Sequence, residues 1–84
     1  MNVLLKVTLY MKERCALCDE VLDLLSLLQA DYLFSIEEVD IYQDETLLER
    51  YHLDIPVVRI KDTLLKAGEI DIITLEAAIK SQLS

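Results

Sequence analysis

Two cysteines, Cys15 and Cys18, stand in an 84-residue chain with only Ala16 and Leu17 between them, the spacing that reversible thiol-disulfide exchange uses. That chemistry needs an exposed thiolate to attack a substrate disulfide and form a mixed disulfide, and a second thiol close by to resolve it. The pair falls where a strand-like run gives way to a helical one. A cysteine at a helix N-terminus meets unpaired backbone N–H groups and the positive end of the dipole, and both favour thiolate over thiol. Cys18, one helical turn on, shares its face and lies within reach of a disulfide. Lys12 and Arg14, just upstream, add positive potential, while Asp19 and Glu20 oppose them; the expectation is a net lowering of the Cys15 pKa, with Cys15 as the attacking sulfur.

Other chemistries compete for the same residues. A C-x-x-C can be half of a zinc site, but structural zinc normally takes four ligands, and only His52 and carboxylates remain to complete the set. A permanent disulfide, or two free thiols packed in the core, are further readings; the basic loop argues against burying Cys15. His52 reads as a surface or helix-end residue. Tyr10, Tyr32, Tyr42 and Tyr51 are too scattered to form a stacking platform for nucleic acid, although Tyr10, at the end of the first strand, could flank the site. Pro56 is either a rigid entry into a strand or the second residue of a cis Ile55–Pro56 bond.

The elements that position these residues follow from the apolar patterning. Residues 3–10, VLLKVTLY, form a short apolar run with β-branched members, as a buried strand does. From Ala16 to Ala30, Leu17, Val21, Leu24, Leu25 and Leu28 recur at spacings of three and four, the period of a helix; Leu22 and Leu27 widen the stripe, which predicts cover on more than one side. Tyr32 to Ile41 reads as a second strand, and Asp44–Glu45 opens a short helix ending near His52. Val57–Ile60, a turn at Lys61–Thr63 and Leu64–Gly68 predict a hairpin. In the last helix Thr74 is a candidate cap for Leu75–Lys80, with helical pairing able to begin as early as Asp71. The order β-α-β-α-β-β-α implies an α/β fold. A right-handed crossover makes the first two strands parallel and the hairpin adds an antiparallel pair, giving a four-stranded mixed sheet with helices on its faces.

The composition narrows the partners. With 54% apolar residues, one Gly and one Pro, residues 1–84 are expected to form one domain with no linker or repeat. Sixteen acidic against eight basic residues give a net charge of −8, which repels phosphate backbones and anionic lipid and makes nucleic acid and membranes poor partners. The longest uncharged apolar stretch, Leu24 to Ala30, is far shorter than the roughly 20 residues a bilayer requires. The N-terminal run leads into Lys12–Glu13–Arg14 rather than a small-residue cleavage site, so the expected location is the cytosol. The acidic surface could also steer a basic partner.

Taken together, Val7–Tyr10, Lys12 to Glu20, Glu38–Ile41 and Asp54–Ile55–Pro56–Val57–Val58 resemble a glutaredoxin of the thioredoxin-fold superfamily, closest to the small glutaredoxin-like proteins with C-x-L-C-D-E. The resemblance implies a thioredoxin-like (glutaredoxin) fold and a cis Ile55–Pro56 bond packed beside the redox pair, with the Ile55 backbone offered to a substrate strand. It also implies a glutathione site, to which Lys12, three residues before Cys15, and Gly68 correspond, with Arg14 as a further contact for a carboxylate. The chain departs from ordinary glutaredoxins in having Ala16–Leu17 where they carry Pro and Tyr, and in lacking the second glycine beside Gly68. The expected function is a thiol-disulfide oxidoreductase using the Cys15/Cys18 dithiol. It would carry no bound cofactor or metal, act on a disulfide-containing protein or glutathione, and draw electrons from glutathione as co-substrate or from a reductase partner. Two alternatives stand beside it: a non-catalytic thioredoxin-fold interaction module, and an iron-sulfur cluster bridged between two subunits by one cysteine from each.

Overall fold

Residues 5–11 alternate between two buried faces, which is why the run reads as almost continuously apolar. In the computed structural model, which describes residues 4–83, they form β1 (Leu5–Met11), the second strand of a four-stranded sheet ordered β2-β1-β3-β4. Val3, expected to open this strand, lies outside the described residues. β2 (Phe34–Asp40) pairs parallel to β1, from Leu5 opposite Phe34 to Met11 opposite Asp40. β3 (Val57–Ile60) runs antiparallel to β1, with Tyr10 opposite Val57, and β4 (Thr63–Leu65) returns antiparallel to β3. The helices are α1 (Ala16–Leu28), α2 (Glu45–Tyr51) and α3 (Ile72–Leu83), with 3-10 turns at Ile41–Gln43 and Ala67–Glu69. The element order and mixed sheet are those of the thioredoxin-like fold.

Each face of the sheet has its own core. Leu5, Val7 and Leu9 of β1 with Val58 and Ile60 of β3 meet Val21, Leu25 and Leu28 of α1 and Leu75 and Ile79 of α3. On the opposite face Tyr10 and Val57 pack with Ile41 and with Tyr51 of α2. Burying each such Leu, Ile or Val completely contributes about 1.5–3 kcal/mol before chain entropy is counted. The stripe of α1 differs from expectation at both ends. Leu17 and Leu27 are exposed, and Cys18 takes the buried position one turn before Val21, because α1 is covered on one side only, by the sheet and α3.

Three boundaries shift for local reasons. β2 stops at Asp40 rather than Ile41, because the Asp40 carboxylate accepts the Tyr42 N–H at 2.9 Å and turns the chain. The hairpin turn is Lys61–Asp62 alone, with Lys61 in the left-handed region at φ 56°, and the returning strand ends at Leu65, so Ala67 to Glu69 form a 3-10 turn instead of strand. α3 starts at Ile72, before the expected Thr74 cap. The Asp71 carboxylate accepts the Thr74 N–H at 2.7 Å and the Thr74 hydroxyl accepts the Asp71 N–H at 3.0 Å, a reciprocal pair that moves the start upstream.

Candidate functional site

The parallel β1–β2 pair brings the C-terminal ends of both strands, and the N-terminal end of β3, to one end of the sheet. The redox loop leaves β1 there. It passes through Arg14, whose φ of 54° reverses the chain in the left-handed region, to Cys15, extended at φ −120° and ψ 102°, which caps α1. The first helical bond runs from the Asp19 N–H to the Cys15 carbonyl at 3.0 Å. The Cys15 Sγ accepts the Cys18 N–H at 3.1 Å, so the sulfur fills the place that an oxygen of Ser or Asp takes at other helix starts.

The two cysteines are joined as a disulfide, with a Cα–Cα distance of 5.2 Å, inside the range such bonds require. Their exposures differ. Cys15 is half-buried, whereas Cys18 is 2% exposed and sits over the α1 core. Ala16 and Leu17 are exposed between them, Leu17 by 58%.

Lys12 and Arg14 are exposed in the loop, and the salt bridges among the described residues, Lys6–Glu37 and Lys66–Asp54, involve neither. Pro56 is buried and Ile55 half-buried; the bond between them is cis, and the register that sets Val57 opposite Tyr10 places both at the loop's end of the sheet. The Ile55 N–H donates to the Tyr51 carbonyl at 3.1 Å. The donor half of the backbone pairing expected of Ile55 is therefore already engaged within the chain.

Gly68 lies exposed in the 3-10 turn, without a positive φ and with open space where a Cβ would stand, so nothing in the fold itself requires glycine there. Its segment is tied to the Pro56 loop. The Ala67 N–H donates to the Asp54 carbonyl at 3.3 Å and the Lys66 ammonium pairs with the Asp54 carboxylate at 3.7 Å. Tyr10, opposite Val57 at this end of the sheet, is buried and stacked on Tyr51 with ring centroids 4.7 Å apart. His52 sits exposed at the end of α2, its Nδ1 2.9 Å from the Leu48 carbonyl. Among the described residues no group of three or more His, Cys, Asp or Glu is placed to hold a metal ion, and no helix is long and apolar enough to cross a membrane.

One feature escaped the reading of the sequence. An open cleft of about 360 Å³ adjoins the redox loop, lined by Lys12, Glu13, Asp40, Tyr42 and Gln43, and Tyr42 also walls a second cleft of about 360 Å³ with Leu48, Glu49 and His52. The parallel register carried the missing signal: if Met11 pairs with Asp40, the residues after Asp40 must stand beside Lys12 and Glu13.

Residues 6–80 match the family model described as Glutaredoxin-like domain (DUF836). Among solved structures, the X-ray structure of protein XcR50 from X. campestris is 29% identical, covering 89% of this chain and 96% of that one, with a TM-score of 0.74. The solution structure of Ne2328 from Nitrosomonas europaea is 27% identical over 94% and 95% of the two chains, with a TM-score of 0.77. A mutant thioredoxin from Halobacterium salinarum NRC-1, at 16% identity and a TM-score of 0.64 over 92% of this chain and 73% of that one, shares the fold alone. No curated protein matches the chain at a significant level.

Proposed function

The chain belongs to the glutaredoxin-like (DUF836) family, and from that premise we propose that it is a thiol-disulfide oxidoreductase cycling Cys15 and Cys18 between dithiol and disulfide. The observation that carries the proposal is the asymmetry of the pair: Cys15 partly accessible as the cap of α1 with its Sγ on a backbone N–H, and Cys18 buried 5.2 Å away by Cα.

The Cys15 thiolate attacks one sulfur of a substrate disulfide; the S–S bond breaks, the other substrate sulfur leaves as a thiolate and takes a proton from water, and a Cys15–substrate disulfide forms. Cys18 then loses its proton and attacks the Cys15 Sγ, releasing the second substrate thiol and closing the Cys15–Cys18 disulfide. Two electrons have passed to the substrate. They are restored by two thiols of glutathione, which leave as glutathione disulfide, or by the dithiol of a reductase. The reducing cytosol is the compartment in which such a pool returns the pair to its dithiol.

A substrate strand docks against the Pro56 loop through the Ile55 carbonyl, because the Ile55 N–H is held by Tyr51. Lys12 and Arg14 favour the thiolate and attract carboxylates of an incoming thiol or peptide, and the segment around Gly68 is tied to the Pro56 loop through Asp54.

Alkylation by iodoacetamide (carbamidomethylation) across pH, with loss of insulin or hydroxyethyl disulfide as the activity readout, tests the proposal. Reduced protein should alkylate rapidly well below pH 8.5, and Cys15→Ser should abolish both the fast phase and turnover. If both thiols react only near the pH of a free cysteine and no disulfide is reduced, the non-catalytic interaction module replaces this reading.

A further inference from the structure

We propose that the cleft beside the redox loop selects the substrate, by taking an arginine of the disulfide-bearing protein onto Tyr42 beside Glu13 and Asp40, with Glu49 in the adjoining cleft that shares Tyr42. The inference rests on the oxidoreductase reading above and names the class of disulfide that reaction acts on. Tyr42 is 61% exposed, yet its backbone is held, the N–H donating to Asp40 Oδ1 at 2.9 Å. An aromatic face offered to solvent at a fixed place is suited to a cation, and a guanidinium stacks on it better than an ammonium.

The surrounding charges agree. Around the two clefts that share Tyr42 stand the carboxylates of Glu13, Asp40 and Glu49 against the single ammonium of Lys12, and Arg50, the base on α2, lines neither. The chain as a whole carries −8, so a cationic segment is drawn in from a distance as well as held on contact. The distance to the chemistry is short. Glu13 is two residues from Cys15, so their Cα atoms are at most about 7.6 Å apart. An extended strand advances about 3.3–3.6 Å per residue, which sets the arginine two or three residues from the cysteine under attack. Leu48, half-buried on the far wall, offers contact to an apolar residue beside that arginine.

Two capped peptides test this on the oxidised protein, where no exchange can occur: Gly-Ser-Gly-Arg-Leu-Gly and the same peptide with Glu for Arg. Amide shifts in nitrogen-15 spectra should place the arginine peptide at Glu13, Tyr42, Gln43 and Glu49, bound about tenfold more tightly than the glutamate peptide at low salt, the difference shrinking severalfold at about 0.5 M. Tyr42→Ser should remove most of that preference and Glu49→Lys should shrink or invert it. Equal affinities, shifts that map elsewhere, absence of binding at millimolar peptide, or a preference unchanged in Tyr42→Ser would each overturn the assignment.

Disulfide-linked dimers of the cysteine versions of the two peptides then separate this inference from the one it rests on. If both are reduced by the dithiol protein at equal rates, the cleft does not select while the oxidoreductase stands. If the arginine peptide binds the cleft yet neither disulfide is reduced, the binding site stands and the oxidoreductase reading falls.

Discussion

Reduction of the Cys15–Cys18 bond should change the stability of the fold only slightly, and the change should fade as pH rises. The bond closes a ring of four residues, so in the chain-entropy description it restrains the unfolded state by about 1.9 kcal/mol at 25 °C, less than the 2–5 kcal/mol lost when a structural bridge is removed from a small secreted domain. The reduced form recovers part of this through Cys15. The proposed function requires its thiolate to be favoured in the folded chain, by the Cys18 N–H and the helix start, over the unfolded chain, where a free cysteine ionises near pH 8.5. A group made more acidic by folding contributes stability above its unfolded pKa and loses it as pH falls through the folded one. A tenfold gain in acidity is therefore worth about 1 kcal/mol at pH 8.5, approaches about 1.4 kcal/mol well above it, and is worth nothing at low pH. Urea unfolding of oxidised and phosphine-reduced protein at intervals from pH 6 to 8.5 measures the gap directly. The expected result is an advantage for the oxidised form of about 2 kcal/mol at pH 6 that shrinks by at least about 1 kcal/mol by pH 8.5. Cys18→Ala should keep the pH dependence and Cys15→Ser should lose it. A gap that stays constant over the window, or one well above about 3 kcal/mol at its lower end, would refute the account of Cys15 as an activated thiolate and mark the bond as a staple.

Asp44→Ala removes the oxygen that accepts the Thr46 and Leu47 N–H groups at 2.8 and 3.2 Å, and should cost about 1 kcal/mol, seen as a fall of roughly 4–8 °C in Tm. Tyr51→Ala empties the core on the α2 face and removes the ring stacked on Tyr10; by urea unfolding it should cost about 3–5 kcal/mol. Tyr32 has its phenol pushed above the ordinary value by partial burial, then by the hydrogen bond it donates to Glu76 at 3.0 Å and by the charges of Glu76 and Asp31. A raised phenol contributes stability that is complete below the unfolded pKa near 10 and disappears as pH climbs through the folded one, so thermal scans of Tyr32→Phe should show a shallower alkaline decline than those of the parent chain.

Central position in the sheet makes β1 legible, because a strand buried on both faces needs an unbroken apolar run, and Val7, Leu9 and Tyr10 supply it. α1 was legible by its period. What the period could not settle is which of the apolar residues near its start faces inward, since Leu17 and Cys18 are adjacent and differ by about 100° around the axis. Cys18 falls in line with Val21, Leu25 and Leu28, and Leu17 is left in solvent. The start of α3 was ambiguous for a different reason. Asp71 and Thr74 are both good helix-start residues, and only their mutual hydrogen bonds decide between them. The Tyr42 cleft depends on register, which no single segment carries: Tyr42 and Glu13 are 29 positions apart and meet because β1 and β2 end level with one another.

The roles of the two sulfurs follow from helical geometry more directly than from acidity. Cys18 is on the inward stripe of α1, so packing that buries Val21 and Leu25 buries it as well, with its sulfur bonded to Cys15. Cys15 precedes the helix and has extended backbone angles, so it is free of that stripe and its sulfur turns back over the first turn, half-exposed. In the proposed reaction an incoming disulfide would meet Cys15 first, whatever Lys12, Arg14, Asp19 and Glu20 do to its proton affinity, and those charges would set how fast the attack proceeds at a given pH. Leu17, also exposed because the stripe excludes it, would then form part of the surface that meets the substrate, so the same 3.6-residue period that hides Cys18 leaves an apolar side chain beside Cys15.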